Sequence, residues 1–537
     1  MNGISSLDII VIITYVLGIL IIGLWVSRKS KKTADGFFLA GRSLRWPVIG
    51  AALFASNIST VHLVGLAASG YSDGLVWGNF EWLAVLMLII LSLIFAPFYF
   101  KTKINTLPEF LEIRYNSTAR TCLAFLALLG ALFMHIGVSL YAGAVVFEHF
   151  FGINIYISIL FISFITALYT VIGGLQSVVI TETIQTAVLI FGAIVLTIFA
   201  VLALPEHGIE SWVSLKAAVN PEQLNMIPSG ENSSGLTWQA LLLGYPVIGV
   251  WYWCADQTIV QRVLGAETLR DAKIGPLFAA GIKILPVFIL VLPGVLGFVL
   301  FKDFIVDPND TFPVLITELM PTGLKGLMAA ALLAALMSTI AAALNSAGTL
   351  VSIDIVKKNR PRISEKQQIL IGRITSIVVM IIAISWSPLI AGFNSIFEAI
   401  NVLLTVISPP ITTVFIWGIF WKRGNHQGAI ATFIGGFILG LFFFLIDFPI
   451  YGDVKIITDI YGISFMMQAW WLFVGCSIIY VVSSLLTSAP DYKKIENCTL
   501  SSPLVFLKKE EGEKYNIPLL LSGLLMLVML FLYIIFG

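Results

Sequence analysis

Ionisable side chains set in apolar sequence are costly inside a bilayer, so they mark a ligand path or a partner for one another. Within long apolar stretches of this chain stand His62, Glu81, Glu182, Lys283 and Glu398. Asn57 and Asn401 add amides, and Tyr252-Trp253 adds two aromatic faces. A sugar or polyol carries hydroxyls around its rim and an apolar C–H face. Glu81, Lys283, Asn57 and Asn401 can hydrogen-bond such a rim, while a ring such as Tyr252 covers the face. A second set has other chemistry. Ser338 and Thr339 follow Ala335 in Ala-Leu-Met-Ser-Thr. Their hydroxyls, the Ala335 carbonyl and carbonyls freed at Ala55 and Ile58 would give the hard oxygens that sodium prefers. Plainer readings stand beside each. Glu81 and Lys283 can neutralise one another, and serine and threonine in helices bond their own i−4 carbonyls. Aromatics also form interface belts. Ligand contact is the expectation for His62, Glu81 and Lys283. A structural role is expected for Glu398, and for Glu182 a place at the cytoplasmic interface.

The elements that hold these groups must be membrane spans. Hydrophobic residues make up 58% of the 537 and charged residues 11%, with a mean hydropathy of +0.97. Soluble domains carry about 25% charged residues. A water-soluble globule, a disordered chain, collagen and a disulfide scaffold are therefore excluded. A net charge of +1 gives no basis for nucleic-acid binding. The four cysteines form no CxxC pair, the five histidines form no HExxH, and no nucleophile–base pair points to an enzyme.

A spanning helix needs about 20 mostly apolar residues. Fourteen segments qualify: 7–26, 47–70, 75–99, 121–150, 153–171, 177–203, 236–255, 277–301, 324–355, 368–388, 394–420, 428–446, 465–487 and 517–536. The first lacks a cationic leader region and is expected to be retained. With the N-terminus outside, 26 of the 31 basic residues fall on inside loops. That bias predicts both termini outside and a multi-pass protein of the cell membrane. The longest stretches outside the bilayer are 204–235, outside, and 488–516, a charged inside loop. Asn232-Ser-Ser matches a glycosylation acceptor on the outer one.

Two spans look interrupted. In the second, Ala55 to His62 replaces Leu and Ile with small and polar residues; the seventh carries Gly244, Pro246 and Gly249 in an apolar run. Freed backbone groups are tolerated only where they line a cavity, and broken helices are where transporters bind solute and ion. Each break opens a row of five spans, as an inverted repeat would require.

These residues sit in longer stretches: Gly36-Phe-Phe-Leu-Ala-Gly-Arg-Ser43, Phe54-Ala-Ser-Asn-Ile-Ser-Thr-Val-His-Leu-Val-Gly-Leu66, Trp251-Tyr-Trp-Cys-Ala-Asp-Gln-Thr-Ile-Val-Gln-Arg262 and Phe420-Trp-Lys-Arg423. In them the chain resembles the sodium/solute symporter family, and within it the sodium–glucose cotransporter branch, over nearly its whole length. The resemblance implies an all-α membrane fold of the LeuT type, a five-plus-five inverted repeat with discontinuous helices. One helix with its inside loop (1–46) would precede the repeats at 47–203 and 236–420. The outer loop 204–235 would separate them, and three helices (421–537) would follow. It implies sodium-driven symport of a hexose by alternating access. It places sugar contacts on Asn57, His62, Glu81, Tyr252, Trp253, Lys283 and Asn401, with Tyr252 as inner gate. Sodium falls on Ala55, Ile58, Ala335, Ser338 and Thr339.

Departures from the family pattern bear on the solute. Asn401 replaces a glutamine, and Gly249 replaces a serine or threonine. A second sodium site found in some relatives falls on Glu182, Ala341 and Ala342, where two hydroxyls are missing, so one sodium per sugar is expected. Alternatives are a sodium symporter of myo-inositol or another polyol, and a sugar sensor on the same scaffold. The sensor would need an added signalling domain or a broken ion site, and these residues offer neither. Carboxylated solutes such as proline or sialic acid would meet Glu81.

Overall fold

A computed structural model describes residues 5–29, 33–227, 235–392, 396–447, 455–500 and 515–537, with backbone alone at 149–151, 391–392 and 396–403. Asn232 lies outside the described residues, as do the side chains of Glu398 and Asn401. Among the described residues the chain is helical, and the β structure is one isolated bridge, Leu44 to Ala266.

Ten helices are long and apolar enough to cross a membrane, and shorter apolar helices lie at Ala240–Ala255 and Leu404–Phe420. The ten accommodate more than ten crossings. The stretch Ile155–His207, 53 residues long, holds the fifth and sixth spans. They meet at Gly174, whose φ of 63° and ψ of −166° break the helix where a side chain would strike the Phe37 carbonyl. Thr60–Thr102 likewise holds the second half of the second span and the third, which turn about Gly74 (φ 84°). With the first half of the second, Trp46–Asn57, all fourteen expected segments find a helix.

Burial separates lining from lipid face. The ninth span, Leu324–Lys357, is 94% buried in its most apolar window, against 22% for the first and 11% for the last. It packs along Ile155–Ala203 and against the first span, Ser6–Lys29. Large side chains such as Ile10, Phe164, Ile381, Phe442 and Leu527 point outward from the peripheral spans, as lipid requires.

The broken second span runs piecewise along the eighth. Trp46–Asn57 lies on Leu269–Ile282, and Thr60–Asp73 lies on Leu292–Phe301. Helices in lipid associate through close backbone approach at small residues. Here Gly70 faces the Val291 carbonyl and Gly294 the Ala67 carbonyl. A Cβ would sit 2.2 Å and 2.0 Å from those oxygens.

Proline in a helix removes a donor and presses on the i−4 carbonyl. Three of these spans answer with a widened π turn that ends two residues before the ring. Leu91–Phe95 precedes Pro97, Ala240–Gly244 precedes Pro246, and Val287–Val291 precedes Pro293. The third and eighth spans, equivalent in a five-plus-five repeat, share this device.

Gly294→Ala should therefore lower the yield of folded protein and its melting temperature, by the ~1–3 kcal/mol typical of overpacking. Gly523→Ala, where no atom lies within 4 Å of the new methyl, should change neither. Thermal denaturation in detergent compares the two.

Candidate substrate and ion site

The second span stops being helical at Ile58, where φ is −74° and ψ 108°. Ser59 then caps the second half, Thr60–Asp73. The Ser59 N–H donates to His62 Nδ1 at 3.3 Å, and the Ser59 hydroxyl lies 3.0 Å from the same nitrogen. An Nδ1 that accepts a backbone N–H leaves the ring proton on Nε2. His62 thus repairs the break with one nitrogen and presents the other as a donor.

The seventh span breaks in a different place from the one its glycines and proline indicate. Gly244, Pro246 and Gly249 all lie in helix, because the π turn at Ala240–Gly244 absorbs the proline. The chain leaves the helix at Asp256 (φ −85°, ψ 122°), after a second π stretch, Trp251–Ala255. Asp256 Oδ1 accepts the Thr258 N–H at 2.9 Å and restarts the helix Gln257–Leu264, while Oδ2 lies 2.6 Å from His135 Nε2. The two breaks are joined directly: Asn57 Nδ2 donates to the Tyr252 hydroxyl at 3.1 Å.

Between them lies a cavity of about 130 Å³ lined by Asn57, His62, Glu81, Tyr252, Trp253 and Thr339, among others. Its size is close to the ~150 Å³ apolar cavity known to take up one benzene ring. Among the described residues, Asn57 Oδ1 is buried without a partner.

Five of the seven expected solute contacts line this cavity. Lys283 stands behind it: its ammonium donates to Glu81 Oε2 and lies 5.5 Å from the Trp253 ring centroid. Both partners are buried, at 1% and 2% exposure, so the pair is a true internal ion pair. The backbone of Asn401 belongs to the helix Ile396–Phe420, and Leu404, one turn further, lines the cavity.

Sequence reasoning missed part of the wall. His135 and Ser139, four apart on the fourth span, both line the cavity. The signal was there, a histidine in an apolar run, but the distant Asp256 gives it a role. Tyr245 and Phe80 add aromatic wall, with the Tyr245 hydroxyl on the Phe80 carbonyl at 2.9 Å. Gly249 also lines the cavity. A Cβ there would meet Met87 Cγ at 2.7 Å, so the position that lacks a hydroxyl is filled by packing from the third span.

The proposed ion ligands converge next to the first break. Ser338 Oγ lies 2.8 Å from the Ala55 carbonyl and 2.9 Å from that of Ala335. Thr339 Oγ1 lies 3.3 Å from the Ser56 carbonyl and 3.2 Å from that of Ala335. Both hydroxyls bond the Ala335 carbonyl of their own helix, as serine and threonine in helices do, and both also reach carbonyls of the second span, which gathers hard oxygens of the kind sodium takes beside the first break. Ile58, wholly buried, is the residue whose extended ψ opens the helix beside them.

Glu182, expected at the cytoplasmic interface, is enclosed by protein. It is wholly buried, its carboxylate held by Arg262 (Nη2 to Oε1 2.5 Å) and by the Ser56 hydroxyl at 3.0 Å. Ala341 and Ala342 are equally buried and offer no side-chain oxygen.

Comparison with known proteins agrees with this architecture. The family model for the sodium:solute symporter family matches residues 37–436. The chain is 34% identical to sodium/glucose cotransporter 1 of Oryctolagus cuniculus, over 92% of this chain and 81% of that protein. It is 37% identical to sodium/myo-inositol cotransporter 2 of Bos taurus, over 82% and 70%. A solved Na+-coupled sialic acid symporter in a substrate-bound outward-open state superposes with a TM-score of 0.77 at 22% identity, over 91% of this chain and 99% of that one. It shares the fold.

Ser338→Ala should raise the sodium concentration for half-maximal uptake roughly tenfold, the ~1.4 kcal/mol scale of one lost ligand. Sodium titration of uptake in proteoliposomes measures it, and unchanged sodium dependence would remove Ser338 from the ion site.

Proposed function

The chain belongs to the sodium:solute symporter family, a multi-pass sodium-coupled membrane transporter and not an enzyme, and from that premise we propose that its solute is a neutral hexose of the glucose or galactose kind. The observation that carries this is the Glu81–Lys283 pair at the cavity wall. A carboxylated solute is favoured by a free cation, and Lys283 beside the cavity is already held by a carboxylate that would repel such a solute. A neutral polyol can instead accept from the His62 Nε2–H, donate to Glu81 and Asn57 Oδ1, and lay its C–H face on Tyr252 or Trp253. Relatives of both glucose and myo-inositol type support a polyol. Inositol is the second reading, because it offers the same hydroxyl rim.

In this reading the Lys/Arg-rich face is cytoplasmic and both termini lie outside. Sodium among Ala55, Ile58, Ala335, Ser338 and Thr339 fixes the first break, and through Asn57 and Tyr252 it fixes the second. Tyr252 closes the inner side of the solute.

Beneath it, Gln257–Leu264 is wholly buried although rich in polar residues. Gln261 Nε2 donates to the Phe38 carbonyl and Thr349 Oγ1, both at 2.8 Å, and Gln257 Oε1 accepts the Leu107 N–H at 2.8 Å. Yet among the described residues Gln257 Nε2, Thr258 Oγ1 and Gln261 Oε1 have no partner, nor do Asn345 Nδ2 and Ser346 Oγ on the ninth span packed against them. A dry unpartnered polar atom costs about 1–3 kcal/mol. These atoms mark a route that is wet when the carrier opens inward.

One sodium per sugar suffices energetically. A tenfold sodium gradient gives about 1.4 kcal/mol, and about 100 mV adds about 2.3 kcal/mol per charge. The sum of about 3.7 kcal/mol supports roughly several-hundred-fold accumulation. Dual-label flux should give a sodium-to-sugar ratio of one, and a ratio of two overturns this stoichiometry.

Glu81→Gln should raise the half-saturating hexose concentration about 10- to 100-fold, the ~1.5–3 kcal/mol of a charged hydrogen bond, and thermal denaturation in detergent separates that effect from the cost of leaving Lys283 without its charged partner. Uptake in proteoliposomes against hexoses, pentoses and inositols tests both points. Preference for inositol over every hexose selects the second reading, and uptake driven by protons or without any ion removes both.

A further inference from the structure

Between the ninth and tenth spans the chain turns through Lys357, Lys358, Arg360, Arg362 and Lys366, with one acid, Glu365. Lys358 is engaged, donating to the Ser117 carbonyl and Thr121 Oγ1, both at 2.7 Å. Among the described residues, neither Arg360 nor Arg362 has a side-chain hydrogen bond or an ion pair. Both are exposed, and together they line a groove of about 660 Å³ with Ile363, Gln367, Leu370 and Ile371.

The groove has two chemistries in sequence along the membrane normal. Its head is cationic, two guanidiniums set two residues apart. Its foot is apolar: Leu370 is 54% exposed, and Ile374, Ile377, Val378 and Ile381 continue that face down the tenth span, Glu365–Trp386. A guanidinium binds phosphate oxygens in pairs, which an ammonium does not. An inorganic anion would satisfy the head and leave the foot bare. A bilayer lipid carrying a phosphate meets both at once, at the depth where the span enters the membrane.

We propose that this groove holds an anionic phospholipid, its headgroup phosphate between Arg360 and Arg362 and an acyl chain along Leu370 and Ile374. The site rests on the membrane-spanning reading but not on the identity of the transported solute. The bound lipid braces the turn where the ninth span, which carries Ser338 and Thr339, meets the tenth. Those spans are already tied there by Ser352 Oγ on the Gln368 carbonyl (2.9 Å) and Ser376 Oγ on the Leu344 carbonyl (3.0 Å).

The test compares the full chain with Arg360→Gln/Arg362→Gln and with a control of equal charge loss, Lys493→Gln/Lys494→Gln, at exposed lysines elsewhere on the basic side. Each is incubated in detergent with phosphatidylglycerol or phosphatidylcholine, and bound lipid is counted by native mass spectrometry. Wild type and control should retain phosphatidylglycerol at least fivefold more than the arginine variant, with no such difference for phosphatidylcholine. Equal retention by all three proteins overturns the site in favour of diffuse charge. Displacement of the lipid by millimolar inorganic phosphate overturns it in favour of a free-anion site. Sodium-dependent uptake in phosphatidylcholine vesicles, expected to be equal in all three, shows that the variants are folded. A loss of uptake there with intact lipid retention would count against the transport reading and leave the lipid site standing.

Discussion

A backbone N–H or carbonyl released inside hydrocarbon has no water to turn to, and every such group here must find a partner or a ligand. The second and seventh spans each release a set, at Ile58–Ser59 and at Asp256. Their repair uses the same side chains that face the cavity. His62 accepts the Ser59 N–H, Asp256 accepts the Thr258 N–H and meets His135, and Asn57 reaches Tyr252 across the gap. Holding the helices broken and presenting polar atoms to a solute are therefore one task.

That coupling explains why the first break was legible in the sequence and the second was misplaced. Around Ile58 the residue types change from Leu and Ile to Ser, Asn, Thr and His, because those side chains must stand in for the missing helix bonds. In the seventh span, Gly244, Pro246 and Gly249 are stronger helix breakers by composition, yet the helix runs through them. A π turn moves the clashing carbonyl aside, and neighbouring helices cover the widened turn. Asp256, inside a motif read for its family resemblance, was the capping residue that marked the true restart. Glycine reports close approach as often as a bend, as Gly70 and Gly294 show.

The fourteen apolar segments could be read from the chain, and so could one pairing, since Glu81 and Lys283 stood out as charges able to neutralise one another and do so across 202 residues. The other pairings could not be read: His135 and Asp256 are 121 apart, and Glu182 and Arg262 are 80 apart. No periodicity carries such information, since it is set by which helix faces meet. The sequence placed Lys283 among the solute contacts, and the fold sets it one layer back, acting through Glu81. It left Arg262 without a role, and the fold puts its guanidinium on Glu182.

Those pairings share a consequence for charge. Among the described residues, Glu81 and Glu182 each lie against a buried basic side chain, Lys283 and Arg262, and Asp256 shares a hydrogen bond with His135. Deeper toward the basic face, Asp354 is held by Arg120. A buried carboxylate with its own guanidinium or ammonium has little left to offer a mobile cation, because a second positive charge would be repelled by the first. In the proposed ion site the cation is held by neutral oxygens, where the Ala55 and Ser56 carbonyls lie close to Ser338, Thr339 and the Ala335 carbonyl. Such a site leaves the Glu81–Lys283 and Glu182–Arg262 pairs undisturbed when the ion arrives or leaves.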